Sequence, residues 1–189
     1  MPLADLSLVT RSLRTLLDLN VRRLMGGLPP GAIIVTTQPP EAVGAATNTI
    51  NLHLYHVAED PHFRNAARPA VTARNDAPPP MALRLFYILT AHHVQSPDTD
   101  ALAQQRLMSF ALRTLHDYPV IGDGVAVDAG DGAGPEPVLD AALRAADNSF
   151  QIMLRAVTPE DAAAFWSAVN PQTARLSAYY EVRMVLLAA

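Results

Sequence analysis

The chain contains no cysteine. Disulfides, thiolate zinc sites and cysteine nucleophiles are therefore excluded outright. It also lacks a basic excess: its formal net charge is −4, which argues against non-specific binding to nucleic acid, since that needs a positive field. No run approaches the ~18 apolar residues that span a bilayer. Arg11 and Arg14 interrupt the first apolar stretch, so no secretory h-region is expected and the chain reads as a soluble protein made in the cytosol, with no membrane partner. There is no G-x-x-x-x-G-K loop, no G-x-G-x-x-G after a strand, no G-x-S-x-G elbow and no H-E-x-x-H. What remains is 189 residues, half of them hydrophobic, enough for one domain with its own core. The 16 prolines cluster in loops.

The stretch Met81 to His93, MALRLFYILTAHH, organises the rest. Leu83, Leu85, Tyr87, Leu89 and Ala91 would point one way, and Ala82, Phe86 and Ile88 the other. A strand apolar on both faces needs something packed on each side of its sheet, so this is the expected central strand. Pro78-Pro79-Pro80 stops any ladder before it. Leu3 to Met25 carries a helical stripe of Leu6, Val9, Leu13, Leu16, Leu17 and Leu24, ended by Gly26-Gly27. Arg22 and Arg23 fall in its last turn, where the helix dipole favours cations; a contact with an acidic partner is the other reading of the pair. Short strands follow at 32–37 and 48–57. In the second of these Ile50, Leu52 and Leu54 share one face, and Asn51, His53 and Tyr55 share the other, solvated or set against a partner. Residues 58–80 hold five prolines with Arg64, Arg68 and Arg74. So long a connection without periodicity is either disordered or an arm laid over another subunit.

Beyond the central strand, Ser96-Pro97-Asp98 predicts a helix start, running to about Tyr118. Residues 122–137, with five glycines and three aspartates, read as a mobile loop, and 138–146 as a short helix. A strand is expected over 149–157. Thr158-Pro159-Glu160-Asp161 is the clearest helix start in the chain. The last strand, 176–187, alternates with Tyr180, Val182, Met184 and Leu186 inward and Glu181 and Arg183 opposite. The sum is an α/β fold of the α+β type: a single domain with a mixed sheet of about five strands and flanking helices.

Chemistry is sparse. His92 and His93 with His116 are the best metal candidates, but neighbours on a strand point to opposite faces, so at most one of the first two could face a shared ion. No acid completes the set. His53 and His56, three apart, are also expected on opposite faces. Asp123, Asp128 and Asp131 lack the order and the closing glutamate of a calcium loop. Trp166 and Tyr55 are most simply core. Glu181 and Arg183 most simply pair with each other. No catalytic residue, cofactor or metal is expected.

Several stretches, taken in order, resemble one family. They are Asn51-Leu52-x-Leu54-Tyr55-x-Val57 with Arg64-Asn65, and Pro80-x-x-Leu83-x-Leu85-x-Tyr87-x-Leu89-Thr90-Ala91. Then come Leu115-His116-Asp117-x-Pro119-Val120, Phe165-Trp166-Ser167-Ala168 and Leu176-Ser177-x-x-Tyr180-Glu181-Val182-Arg183. The set resembles the cap, or tail-terminator, proteins of extracellular contractile injection systems, phage-tail-like particles of the antifeeding-prophage type. The alanine-rich 122–147 region departs from the pattern, and the chain ends at the last strand, without the extra C-terminal domain of some longer relatives. The resemblance implies a structural protein, not an enzyme. It would form a ring of six copies that ends the inner tube and holds the outermost sheath ring, in a particle assembled in the cytosol and released by lysis. Its expected partners are further copies of itself and the sheath and tube proteins. Candidate interface residues are Arg22, Arg23, Asn51, His53, Tyr55, Arg64, Asn65, Arg68 and Arg74. The rival readings are a small metal-dependent hydrolase built on His92 or His93 with His116, and a phage-type terminator unrelated to injection systems.

Overall fold

The computed structural model describes residues 5–44, 48–61, 81–93, 102–144, 148–169 and 174–187. In chain order the elements are α1 (Ser7–Leu24), β1 (Ile34–Thr36), a 3₁₀ turn (Pro40–Ala42), β2 (Thr49–Glu59), β3 (Met81–His92), α2 (Ala103–Asp117), β4 (Val120–Ile121), β5 (Ala126–Asp128), β6 (Pro135–Pro137), β7 (Phe150–Leu154), α3 (Pro159–Val169) and β8 (Ser177–Leu187). Among the described residues six strands form one mixed sheet in the order β1-β2-β3-β8-β7-β4. Only β1 and β2 run parallel; every other neighbouring pair is antiparallel. The sixth strand beyond the five expected is β4, whose two residues are too few to show a pattern.

β3 sits in the middle, as its two apolar parities predict. Leu83, Leu85, Tyr87, Leu89 and Ala91 enter the main core beneath α1 and α2. Phe86 and Ile88 are buried on the opposite, outer face. α1 supplies Val9, Leu13, Leu16 and Leu17 to the inner core, and α2 supplies Leu107, Met108, Ala111 and Leu115. Two polar bonds orient this layer: the buried Asn20 Nδ2 donates to Thr114 Oγ1 across the two helices (3.0 Å), and Tyr87 Oη pairs with Thr10 Oγ1 (2.8 Å). Burial raises the Tyr87 phenol far above its ordinary range, with the Thr10 bond opposing.

Two bulges correct the expected parity. On β8 two residues oppose one of β3, since Leu83 pairs with Val185 and Leu85 with Val182. An extra residue flips every later side chain. Tyr180 and Val182 therefore face the core as expected, but beyond the bulge Val185 is buried and Leu186 is exposed; the side chain of Met184 lies outside the described ones. On β2 the slip falls between Leu54 and His56. His53 then pairs with Ile88 and His56 with Phe86, both outer-face residues, so the two histidines share a face rather than pointing apart.

The region read as a glycine-rich loop is a β5–β6 hairpin. Val127, Ala129, Val138, Leu139 and Leu143 insert into the inner core, and residues 141–144 form a turn where a short helix was expected. The hairpin is tied to α1 in three places. Ser12 Oγ accepts from the Asp140 N–H (2.9 Å). Arg22 forms an ion pair with Asp131. Gly27 and Gly130, both at positive φ, pack so closely that a Cβ on Gly27 would lie 2.4 Å from the Gly130 carbonyl oxygen. Only glycine meets both demands. The expected helix start at Ser96 and most of the 58–80 connection (62–80) lie outside the described residues.

Candidate interaction surface on the outer sheet face

The outer face of the sheet has two unlike ends. At one end α3 lies on it. Its N-terminus forms as the sequence predicts, with Thr158 Oγ1 accepting from the Asp161 N–H (3.1 Å) and Glu160 and Asp161 in the first turn. Trp166 is buried with Ile88 and Tyr179. Phe165 meets Tyr55, Tyr179 and Trp166 edge-on, with ring centroids 5.5, 6.0 and 5.6 Å apart, the separation aromatic pairs prefer.

The other end carries charge. Glu181, on β8 opposite Phe86, has a side chain only 7% exposed. Arg183 Nε donates to its Oε1 at 2.6 Å, the pairing expected from the two-residue spacing. Arg84 Nη1 reaches the same oxygen at 3.3 Å, and Arg155 Nε stands 3.8 Å from Oε2. Burial works against the charged carboxylate, but the Arg183 bond and the charges of Arg183 and Arg84 outweigh it and hold Glu181 below its ordinary pKa. Phe86 supports the cluster from below: the Arg155 and Arg84 guanidinium carbons sit 4.9 and 5.9 Å from its ring centroid, and His56 lies 5.3 Å from it, centroid to centroid. The three arginine side chains remain 24%, 41% and 32% exposed for Arg84, Arg155 and Arg183. All 14 basic residues of the chain are arginine, and here three forked guanidiniums share one buried carboxylate. Most of their N–H groups have no carboxylate oxygen of Glu181 to meet.

The residues anticipated as an interface fall elsewhere. Arg22 is 3% exposed, held by Asp18 at 3.2 Å and by Asp131, with Nε donating to the Leu28 carbonyl at 3.0 Å. Its charge serves the joint between α1 and the hairpin. Arg23 is exposed. Asn51 is fully buried, accepting from Thr36 Oγ1 at 3.5 Å; its side chain, too, is used inside the chain. His53 is half-buried, with Nδ1 3.2 Å from the Thr37 carbonyl, and Tyr55 packs under α3. Arg64, Asn65, Arg68 and Arg74 lie outside the described residues. Sequence reasoning paired Glu181 with Arg183 but missed Arg84 and Arg155, because the pairing of β7, β8 and β3 is what assembles them. The central signal available was Arg84 itself, the one charge in an apolar strand.

His92 is buried, with Nε2 2.9 Å from Thr90 Oγ1; burial, and then the Arg175 charge, favour its neutral form. It lines a cleft of about 530 Å³ with His93, Gln104 and Arg175. His116, on α2, is not part of that lining. Among the described residues no three histidine, aspartate or glutamate side chains are placed to hold a metal ion. No helix among them is long and apolar enough to cross a membrane.

Two solved structures share the fold. One is the sheath/tube terminator of the extracellular contractile injection system PVC in its extended state, with 16% identity, a TM-score of 0.60, and coverage of 100% of this chain and 58% of that one. The other is the tube-terminating cap of the anti-feeding prophage, with 18% identity, a TM-score of 0.57, and coverage of 96% and 54%. The chain thus spans a little over half the length of each. No curated protein matches it in sequence. The model of the Pvc16 N-terminal domain matches residues 8–189, and this chain belongs to the Pvc16 N-terminal domain family.

Proposed function

We propose that the chain is a structural cap: it forms a closed ring, of six copies, that ends the inner tube of a phage-tail-like contractile particle and anchors the last sheath ring. The observation that carries this reading is fold-level likeness over all or nearly all of the chain to two proteins that terminate such tubes, together with the family match. The sheet supports it physically. Its inner face and the α3 end of its outer face are consumed by the core, while the arginine-rich end keeps donors available for neighbours. The connection 62–80 leaves β2 and returns to β3 at this same end, where Asp60 N–H bonds the Ala82 carbonyl (2.9 Å). It is the proposed intersubunit arm, with Arg64, Asn65, Arg68 and Arg74 as its contacts. Arg23 and His53 are further proposed contacts, since neither side chain is fully enclosed. The particle is assembled in the cytosol and released by lysis. No arrangement of His92, His93 and His116 favours a hydrolase.

Deleting the chain, or replacing residues 66–77 with a short flexible linker, tests the cap. Particles should then carry sheaths of irregular length, or sheaths that fail to stay extended. Normal length and normal contraction without the chain would contradict it.

A further inference from the structure

The main sheet ends in two edge strands, β1 and β4. β4 has two residues and follows Pro119, and so short an edge beside a proline offers little to pair with. β1 is different. Ile34, Val35 and Thr36 are all β-branched, strong strand formers, with no proline, charge or bulge among them to guard the edge. β1 pairs only with β2, in parallel. The Ile34 N–H donates to the Asn48 carbonyl (3.1 Å), and along a parallel ladder alternate residues turn their backbone groups to the same side. Ile34 and Thr36 therefore address β2, and the N–H and C=O of Val35 address the free edge.

That edge is open. A cavity of about 720 Å³ is bounded by Ile33, Ile34 and Val35, by α1, and by Glu136 and Asp140 beyond. Ile34 is exposed, whereas Ile33 and Val35 are buried in the inner core. The cavity thus touches both side-chain parities of β1 but no residue of β2, which places it along the edge rather than on one face. Arg11 and Arg14 reach over it from α1. Both are exposed, and neither forms a hydrogen bond or ion pair among the described residues. A second cavity, of about 430 Å³, shares these two arginines and extends past Thr37, with no acid in its lining. Asp5 feels the Arg11 charge, but its carboxylate is bonded to Ser7. On the far side of the first cavity Arg22 is held by Asp18 and Asp131, and Asp140 accepts the Ala142 N–H at 2.9 Å. The walls are basic at the Thr37 end and acidic at the hairpin.

We infer that the free edge of β1 takes up an extended segment of another protein of the particle as an added strand. Val35 supplies the main-chain donor and acceptor, and an acidic side chain of the incoming segment lies against Arg11 and Arg14. The occupant is extended because the open groups are those of a sheet ladder, which a helix, with its own backbone bonds closed, does not meet. A second copy has no unpaired strand to give, since every strand among the described residues is already paired within its own chain. The inference rests on the cap reading above, which supplies the particle, and names the surface and the form of the segment that meets it.

The test compares hydrogen exchange of the full chain alone and in intact particles. The Val35 amide should exchange freely in the isolated chain and at least tenfold more slowly in particles. Two variants separate an added strand from simple coverage. Val35→Pro removes the Val35 donor without touching a bond to β2, a change an edge strand accepts, and Arg14→Glu reverses the charge above it. Each should lower occupancy of tube ends at least tenfold. Melting temperatures establish that both are folded; Arg14→Glu, at an exposed helix position, serves if Val35→Pro does not fold. Short synthetic peptides tiling the cognate tube and sheath proteins and this chain then identify the occupant by fluorescence anisotropy. A tube or sheath peptide that binds the wild type, and binds Val35→Pro at least tenfold more weakly, is the expected result. Binding by a peptide of this chain, or by none, would overturn the assignment. Unchanged Val35 exchange in particles, or variants that assemble like the wild type, would overturn the inference and leave the cap reading intact. Absence of the wild-type chain from tube ends would instead overturn the cap reading itself.

Discussion

The two ends of the outer sheet face use neighbouring residues of one strand in opposite ways. Ile88 is sealed under Trp166 and Tyr179 and makes fold. Two residues earlier, Phe86 is also nearly buried, yet what covers it is two arginine side chains and His56. An apolar residue on a strand thus says that something covers it, not that the cover is apolar. Burial alone does not separate a core from a site. The covering atoms do.

The sharpest way to break the comparison is to place a carboxylate on each face of β3. Leu85→Asp puts a charge into the dry inner core, where Leu85 is fully buried. An unpaired buried charge costs several kcal/mol against a stability of about 5–15, so no folded protein should be recovered. Phe86→Asp introduces the same group beside Arg84 and Arg155 and should fold, losing roughly 3 kcal/mol from the missing ring. Equal loss from both variants in denaturant titration would erase the distinction between the faces.

Glu181→Gln is the next largest effect. It leaves three arginines facing one another, and roughly 2–3 kcal/mol should be lost at neutral pH, less than for a fully enclosed pair because the arginines are partly solvated. The sign with pH follows from the lowered folded-state pKa. The contribution is complete above the unfolded glutamate value and fades as the pH falls through the lowered folded value. The gap between wild type and variant should close on acidification; a gap that widens would contradict the cluster. Gly27→Ala acts on the inner layer, forcing a Cβ against Gly130 at a positive φ, and should cost about 2 kcal/mol. An unchanged melting temperature would mean that α1 and the hairpin do not touch there. Thr158→Ala removes only the cap of α3, about 1 kcal/mol, and should leave the arginine end untouched, measured as unchanged pH dependence.

How much of this was legible depended on the range of the signal. β3 announced both its faces within ten residues, and Thr158-Pro159-Glu160-Asp161 marked α3 because a cap is made by adjacent residues. The bulges of β2 and β8 were not legible, since the extra residue is decided by the partner strand. The hairpin was hidden by its composition: Pro135-Glu136-Pro137 can form a strand only at an edge, where missing N–H groups do no harm. Arg22 read as a surface cation because its partner Asp131 stands 109 residues away. The Arg84–Arg155–Arg183 cluster joins three strands from distant parts of the chain, and the fold has to be known before it exists. The cap reading came instead from ordered resemblance, which the family match supports at the level of the domain.

The most direct measurement is a cryo-EM reconstruction of the tube end distal to the baseplate in intact particles. The account predicts one closed ring of six copies of this chain on the last tube ring. A tube end closed by some other protein, with this chain absent or distributed along the shaft, would contradict it.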